Sequence, residues 1–89
     1  MKPYKILIRR KVIKAIEHIG KPFSNKIKDA IDGLAENPRP FGYIKLKDET
    51  EDIYRIRVGD YRILYSIDDV VRIVEIRKVG NRKDIYDLL

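Results

Sequence analysis

Apolar residues recur at two different spacings along this chain, and the spacing distinguishes strands from helices. Residues 4–8 carry apolar side chains at alternate positions, which predicts a short N-terminal strand. Residues 12–19 place apolar side chains at i, i+4 and i+7 ahead of a glycine, and residues 27–34 place them at i, i+3, i+4 and i+7. Both spacings predict amphipathic helices. The second helix should end at Asn37-Pro38, because the residue before a proline avoids helical dihedral angles.

The second half of the chain has the alternation of a sheet. A turn rich in proline and glycine leads into a possible edge strand at 43–46, and three strands follow at 53–58, 61–67 and 70–79. Residues 80–89 could form a short helix or an extended arm. The order predicts an α+β fold with an N-terminal strand, two amphipathic helices and a mainly antiparallel, three- to four-stranded meander. Both helices should pack on one face of the sheet.

Two-residue turns are predicted between the last three strands, and such turns fix the register of the pairs they join. The Gly59-Asp60 turn places Arg57 opposite Arg62. An Asp-Asp turn after the next strand would place Arg62 opposite Glu75 as well. The resulting core face holds the following residues: Tyr54, Ile56, Val58, Tyr61, Ile63, Val74 and Ile76.

The opposite face of the predicted sheet is basic. It carries Arg55, Arg57, Arg62 and Arg77, with Glu75 as the nearby acid. Arginine is permanently charged and bidentate towards phosphate, so this set suits phosphate recognition. The alternative is a solvated face whose charge only keeps the protein soluble. An apolar patch is expected beside the arginines, where a partner helix or arm could bind. The patch consists of Ile53, Leu64, Val71 and Ile73.

Composition narrows the possible chemistry. The chain has 89 residues, 44% apolar and 38% charged, which predicts a single folded domain over 1–89. Without cysteine, disulfide scaffolds and thiolate chemistry are excluded, and with His18 as the only histidine a catalytic triad or multi-histidine metal site is disfavoured. We expect His18 to be a helix C-terminal cation.

The net charge of +6 favours polyanionic partners. No apolar run of membrane-spanning length occurs, so we expect a cytoplasmic protein with no membrane partner.

Two motifs together resemble a known family. Residues 53–65 read IYRIRVGDYRILY, and they are followed by VGNR at 79–82 and by Tyr86. This combination, with the upstream helix pair in order, is similar to the RelE branch of the RelE/ParE toxin superfamily over nearly the whole chain. The resemblance implies an mRNA interferase, a ribosome-dependent endoribonuclease that cuts mRNA in the decoding site without metal or other cofactor. It also implies a cognate antitoxin and possible operator DNA binding through the antitoxin complex.

The resemblance also implies roles for individual residues. Arg55 and Arg57 stand where well-known RelE enzymes have catalytic lysines, Arg62 matches an arginine that stabilises phosphate charge, and Arg82 matches one near the leaving group. Tyr86 matches a C-terminal tyrosine that packs on or activates the nucleotide. The implied reaction is attack of a ribose 2′-hydroxyl on the adjacent phosphate. Since arginine cannot accept a proton at neutral pH, Tyr86 is the titratable candidate for the base. The alternative is that the ribosome or the RNA itself supplies orientation and water.

Several further cations are expected to attract RNA diffusely rather than through specific contacts. They are Lys45, Lys47, Lys78 and Lys83, and Arg77 of the basic face is expected to bind RNA as well. Two other interpretations remain open at this point. One is a gyrase-poisoning toxin of the same superfamily, which usually lacks the arginine set and the terminal tyrosine. The other is a non-catalytic basic module that only binds antitoxin and DNA.

Overall fold

The computed structural model describes residues 3–46 and 51–85, and its elements follow the predicted order. They are β1 (Lys5–Ile8), α1 (Arg10–Ile19), α2 (Phe23–Glu36), β2 (Ile44–Leu46), β3 (Ile53–Val58), β4 (Tyr61–Asp68), β5 (Ile73–Asn81) and α3 (Arg82–Ile85). The α1 helix ends at Gly20, whose φ of 77° favours glycine, and His18 lies in the last helical turn as expected. No helix in the described ranges is long and apolar enough to cross a membrane.

The strands form one five-stranded sheet in the order β1-β5-β4-β3-β2. All neighbouring strands are antiparallel except β1 and β5, which pair in parallel from Lys5–Ile73 to Ile8–Ile76. The sheet therefore has one strand more than the predicted meander. The N-terminal strand was predicted, but its place beside β5 depends on a contact between residues nearly seventy positions apart, which no local pattern specifies.

Both long helices pack on the same face of the sheet, as predicted, and the core lies between the two layers. Ile27, Leu34 and Ile63 are fully buried there, and burial of each such side chain contributes about 1.5–3 kcal/mol. The core cluster comprises Val12, Ile16, Ile27, Ile31, Leu34, Tyr54, Ile56, Ile63, Tyr65, Val74, Ile76 and Val79. Val58 and Tyr61, predicted for this face, pack against the cluster while half-buried.

The β3–β4 register is confirmed, whereas the predicted β4–β5 turn is wrong. Asp68 pairs with Ile73, so the connection is a four-residue loop over 69–72 rather than a two-residue turn. The Asp68 side chain explains the difference, because its Oδ1 accepts hydrogen bonds from the backbone N–H groups of Val70 (3.0 Å) and Val71 (3.1 Å). When a side chain accepts hydrogen bonds from two backbone N–H groups, those groups are not available to a partner strand, and a loop is favoured over a continued strand.

A β-bulge shifts the β4–β5 register a second time. Leu64 pairs with Lys78 while Tyr65 pairs with Ile76, which leaves Arg77 as the extra residue. Because of this shift Val79, rather than its neighbour, reaches the core. The predicted pairing of Arg62 with Glu75 is also wrong, because the 69–72 loop shifts the register by four residues and the bulge shifts it by one more. Arg62 lies opposite Gly80, whereas Glu75 lies opposite Ser66.

The predicted apolar patch beside the arginines is not formed. Ile53 and Leu64 are buried and pack with Leu46 in a small second cluster. Val71 belongs to the 69–72 loop and is mostly exposed. The strand face opposite the helices therefore does not present the continuous apolar surface that was predicted as a partner site.

An ion-pair cluster closes the sheet at the end that contains the 69–72 loop. Arg39 donates two hydrogen bonds to the Asp69 carboxylate, at 3.2 and 2.9 Å, and the Tyr4 hydroxyl donates to Asp69 Oδ1 at 2.6 Å. These bonds hold the pKa of Asp69 at about 2. The buried Tyr65 hydroxyl donates to the Pro38 carbonyl at 2.7 Å, and burial raises the pKa of Tyr65. The cluster ties β1, the segment after α2 and the β4–β5 loop together.

Candidate nucleic-acid interface

The β3–β4 hairpin brings two arginines together on the sheet face that the helices leave open. Arg57 pairs with Arg62, one residue pair before the Gly59-Asp60 turn. Paired residues on neighbouring strands project from the same face of the sheet. Two like charges in such a pair lower the stability of the fold by a few tenths of a kcal/mol or more. The hairpin thus concentrates positive charge at one end of the sheet, opposite the end closed by the Asp69 cluster.

Arg62 is buried, with only 6% of its surface exposed. Its Nη1 donates to the carbonyl oxygens of Gly59 (3.3 Å) and Tyr61 (3.2 Å), and its Nε finds no hydrogen-bond partner among the described residues. No carboxylate in the described ranges forms an ion pair with it. A buried cation that is only partly hydrogen-bonded is costly, and a bound anion would relieve that cost.

An aromatic pair supports the turn from the helix side. Gly59 has a φ of 60°, a conformation that glycine adopts without strain. The Phe23 ring at the start of α2 packs against Tyr61 with 5.5 Å between ring centroids, and it lies beside Gly59. Helix α2 therefore holds the turn in place, which fixes the backbone that carries both hairpin arginines.

Arg82 joins the same end of the sheet through its backbone. The Arg82 N–H donates to the carbonyl oxygen of Asp60 at 3.1 Å, which fastens the start of α3 to the hairpin turn. The preceding pairs, Arg62 with Gly80 and Tyr61 with Asn81, bring β5 to this point. The Arg82 side chain is exposed. Three of the predicted catalytic arginines, at positions 57, 62 and 82, are therefore gathered around one turn.

The fourth predicted arginine lies farther from the turn. Arg55 is half-buried opposite Leu64, with Ile44 of β2 on its other side. It faces the same way as Arg57 because it is two residues away on the same strand. Two predicted site residues, Tyr86 and Lys47, lie outside the described residues, so their roles stay predictions.

The remaining predicted RNA-binding cations are in different surroundings. Lys78 shares the arginine face opposite Leu64, and Lys83 is exposed in α3. Lys45 pairs with Tyr54, so it lies on the other face of the sheet, and its Nζ forms an ion pair with Asp52 at 3.3 Å.

Arg77, at the bulge, is occupied by acidic partners. Its guanidinium contacts Glu51 (2.6 Å) and Glu75 (3.1 Å), and it also donates to Ser66 at 3.3 Å. Glu75 in turn bonds to Arg9 at 3.0 Å. Glu75 is therefore shared by Arg77 and Arg9, and it does not lie opposite Arg62 as predicted.

A cleft of about 620 Å³ opens beside the arginines, and it was not predicted from the sequence. It lies between α2, the turn that follows α2 and the edge of β3. Arg55 and Arg57 are its charged lining residues, Phe41 stands fully exposed at its rim, and Gly33 lies on its α2 side. Two signals in the sequence could have indicated it: a glycine inside a helix and an aromatic residue between proline and glycine.

A family model covers nearly all of this structure. Residues 6–86 match the family described as the ParE toxin of type II toxin-antitoxin system, parDE. The chain belongs to this toxin family. The match includes all three helices, the sheet apart from Lys5 of β1, and the three arginines around the hairpin turn.

Individual relatives place the chain in the RelE-like branch of the ParE toxin family. A protein named RelE1 from Methanocaldococcus jannaschii is 32% identical over 88 residues, covering 93% of this chain and 94% of the relative. The toxin RelE of Mycobacterium tuberculosis is 28% identical and covers 94% of this chain and 87% of the relative. The archaeal RelE in the RelE-RelB complex from Pyrococcus horikoshii superposes with a TM-score of 0.80 at 31% identity, over 92% of this chain and 98% of that one.

Within this toxin family, the arrangement at the hairpin end favours stabilisation of negative charge. A guanidinium remains protonated at neutral pH, so the three arginines supply fixed positive charge and hydrogen-bond donors but no base. The buried Arg62 is held in position by its hydrogen bonds to the Gly59 and Tyr61 carbonyls. Such preorganised charge is suited to a reaction in which negative charge builds up on phosphate oxygens.

Proposed function

We propose that this chain is the toxin of a type II toxin–antitoxin pair and that it acts as a ribosome-dependent endoribonuclease on mRNA. The observation that supports this most directly is the convergence of Arg57, Arg62 and Arg82 around one hairpin turn. The resemblance in the sequence assigns catalytic roles to these same positions. The family match and the RelE relatives support the toxin assignment independently of the geometry.

The proposed reaction is an internal transesterification that needs only functional groups of RNA and protein. The ribose 2′-hydroxyl loses its proton and attacks the adjacent phosphorus, and the bond from phosphorus to the 5′-oxygen breaks. The products are a 2′,3′-cyclic phosphate and a 5′-hydroxyl, which gains a proton. Arg57 and Arg62 would stabilise the non-bridging oxygens and Arg82 the departing oxygen, an effect worth about 10²–10³-fold for each donor. Tyr86 is the proposed acceptor of the 2′-hydroxyl proton.

The partners follow from the same assignment. We expect a cognate antitoxin, because the Pyrococcus and Methanococcus relatives of known structure are RelE-RelB complexes. We expect the mRNA to be cut in the ribosomal decoding site in the cytoplasm, and operator DNA to be bound through the antitoxin complex. The net charge of +6 suits all three polyanionic or acidic partners.

Mapping new 5′-hydroxyl RNA ends in cells tests this proposal. The wild-type chain and an Arg62→Ala variant are induced separately, with Lys11→Ala on the exposed side of α1 as a matched control. Wild type and Lys11→Ala should produce ends within translated codons, and Arg62→Ala should reduce their number by about 10²–10³-fold. Co-expression of the antitoxin should abolish them. Growth arrest without new ends would contradict the proposal and favour gyrase, which plasmid supercoiling in the same cells would reveal.

A further inference from the structure

We propose that the cleft between α2, the 38–42 turn and the edge of β3 is a subsite for one nucleotide of the RNA, whose base stacks on Phe41 while Arg57 holds its phosphate. This inference rests on the proposed nuclease function and specifies how the substrate is positioned there. It assigns a substrate-binding role to Phe41 and Gly33, for which the sequence motifs predict none.

The dimensions and the lining of the cleft suit a nucleotide. Its volume of about 620 Å³ lies within the range of small-molecule sites. Arg55 and Arg57 are the charged residues that line it, and the others are apolar or glycine. Both arginines also belong to the arginine face of the hairpin, so RNA bound along that face would cross the open edge of β3 to enter the cleft.

Phe41 has the position of a stacking platform. It is fully exposed in the Pro40-Phe41-Gly42 segment, where it contributes nothing to the core. The segment is a tight turn, since the Tyr43 N–H donates to the Pro40 carbonyl at 3.0 Å and Gly42 has a φ of 89°. Proline and the turn hydrogen bond limit its motion, so little conformational entropy is lost when a base stacks on the ring. Aromatic side chains recognise unpaired bases in this way.

Gly33 keeps the cleft open from the helix side. It lies inside α2, where glycine lowers helix stability relative to alanine. The packing does not require glycine, because a Cβ built there would have no described atom within 4 Å beyond its own helix and neighbouring residues. A larger side chain at this position would instead project into the cleft that Gly33 lines. The absence of a side chain is therefore explained by an occupant of the cleft.

The edge of β3 beside the cleft is open as well. Strand β2 pairs with β3 only from Ile53 to Arg55, so among the described strands none continues along 56–58 on that edge. An extended protein segment could in principle occupy such an edge. The chemistry of the lining favours RNA, because two guanidinium groups beside an exposed aromatic ring match a phosphate next to a base.

The test uses a fluorescein-labelled RNA hexamer with a 2′-O-methyl group on every ribose, which cannot be cleaved. Its affinity for the purified chain is measured by fluorescence anisotropy. Phe41→Ala should weaken binding by about 5- to 100-fold, and Phe41→Tyr should restore most of it. Gly33→Leu should weaken binding comparably by filling the cleft, while Gly33→Ala should have a much smaller effect. Thermal unfolding of each variant confirms that the fold is retained.

The same variants are assayed for 5′-hydroxyl ends and for antitoxin binding. Reduced hexamer affinity with a raised KM and nearly unchanged kcat supports the subsite. Equal hexamer affinity for wild type, Phe41→Ala and Gly33→Leu overturns it, and loss of antitoxin binding alone would assign the cleft to the protein partner. The hexamer cannot be cleaved, so its affinity tests the subsite separately from nuclease activity. If the nuclease proposal is wrong, the wild-type chain itself gives no 5′-hydroxyl ends.

Discussion

Arg57 lies directly opposite Arg62 across the β3–β4 hairpin, and the two side chains differ sharply in exposure to solvent. Arg57 is exposed, whereas Arg62 is 6% exposed and lacks a carboxylate partner in the described ranges. A fold selected for stability alone would not place an unpaired buried cation next to a second cation. The pair is best explained as a binding arrangement whose electrostatic cost is relieved by an anionic substrate.

Replacing Arg62 with methionine should separate stability from function. Arg62→Met removes the buried charge and the repulsion with Arg57 while keeping a long side chain. We expect the free energy of unfolding to stay equal or rise by up to about 2 kcal/mol, while RNA cleavage is lost. Urea denaturation measures the first effect and 5′-hydroxyl end mapping the second.

The matched control for this experiment is Ile63→Ala at the neighbouring, fully buried position. It should lower the free energy of unfolding by about 2–5 kcal/mol. If Arg62→Met destabilised the protein to a similar extent, the hydrogen bonds from Arg62 to the Gly59 and Tyr61 carbonyls would be mainly structural.

The two arginines at positions 57 and 77 should contribute differently to RNA binding. Arg57 is exposed and makes no ion pair with any described residue, whereas Arg77 already contacts Glu51 and Glu75. We expect Arg57→Ala to reduce the slope of log affinity against log salt by about 0.7, the value for one phosphate contact on a single strand. Arg77→Ala should leave the slope nearly unchanged. Anisotropy titrations with the uncleavable hexamer between low and moderate salt measure both, and a larger effect at Arg77 would show that RNA displaces its acidic partners.

The Asp69 cluster should make stability depend on pH in the acid range. Arg39 and Tyr4 hold the pKa of Asp69 at about 2, below its ordinary value of 3.8. A carboxylate whose pKa is lower in the folded than in the unfolded state stabilises the folded protein at pH values above the unfolded-state pKa. This stabilisation is lost as the pH falls through the folded-state pKa. Asp69→Asn should therefore be less stable than wild type at pH 7, and the difference should shrink from about pH 4 down to about pH 2. Thermal unfolding across this range provides the measurement, with the exposed Asp29→Asn on α2 as control; a difference that is constant with pH would contradict the assignment.

Local sequence patterns were sufficient to predict the helices, the strands and the register of the β3–β4 hairpin. The apolar spacing predicted α1, α2 and the strands, because burying one face requires apolar residues about every 3.6 positions in a helix and every 2 positions in a strand. Two residues between β3 and β4 leave a single register, so the Arg57–Arg62 pair could be predicted before any tertiary structure was known. The resemblance over 53–65 and 79–82 then indicated the toxin family that the comparisons confirmed.

The second hairpin shows where local patterns failed. Val70 and Val71 are β-branched and apolar, which favours a strand. The Asp68 carboxylate instead binds their N–H groups and starts a loop, and Arg72 takes a φ of 58° before β5 begins. This loop shifts the β4–β5 register by four residues and so moves Glu75 away from Arg62, and the bulge at Arg77 shifts it by one more. The Asp68 side chain and a partner strand compete for the same backbone N–H groups. Which of them binds these groups depends on how whole strands pair, so the local sequence does not predict it.

The sequence by itself determined the order of elements, the core face of the hairpin, the arginine pair and the family. Only the tertiary structure decided that β1 lies beside β5, that Arg62 is buried, that Arg82 is fastened to Asp60, and that Phe41 and Gly33 border one cleft. The physical reason is the range of the interactions. Periodicity and short turns act between residues a few positions apart, whereas burial and clefts result from the packing of segments that are distant in the chain.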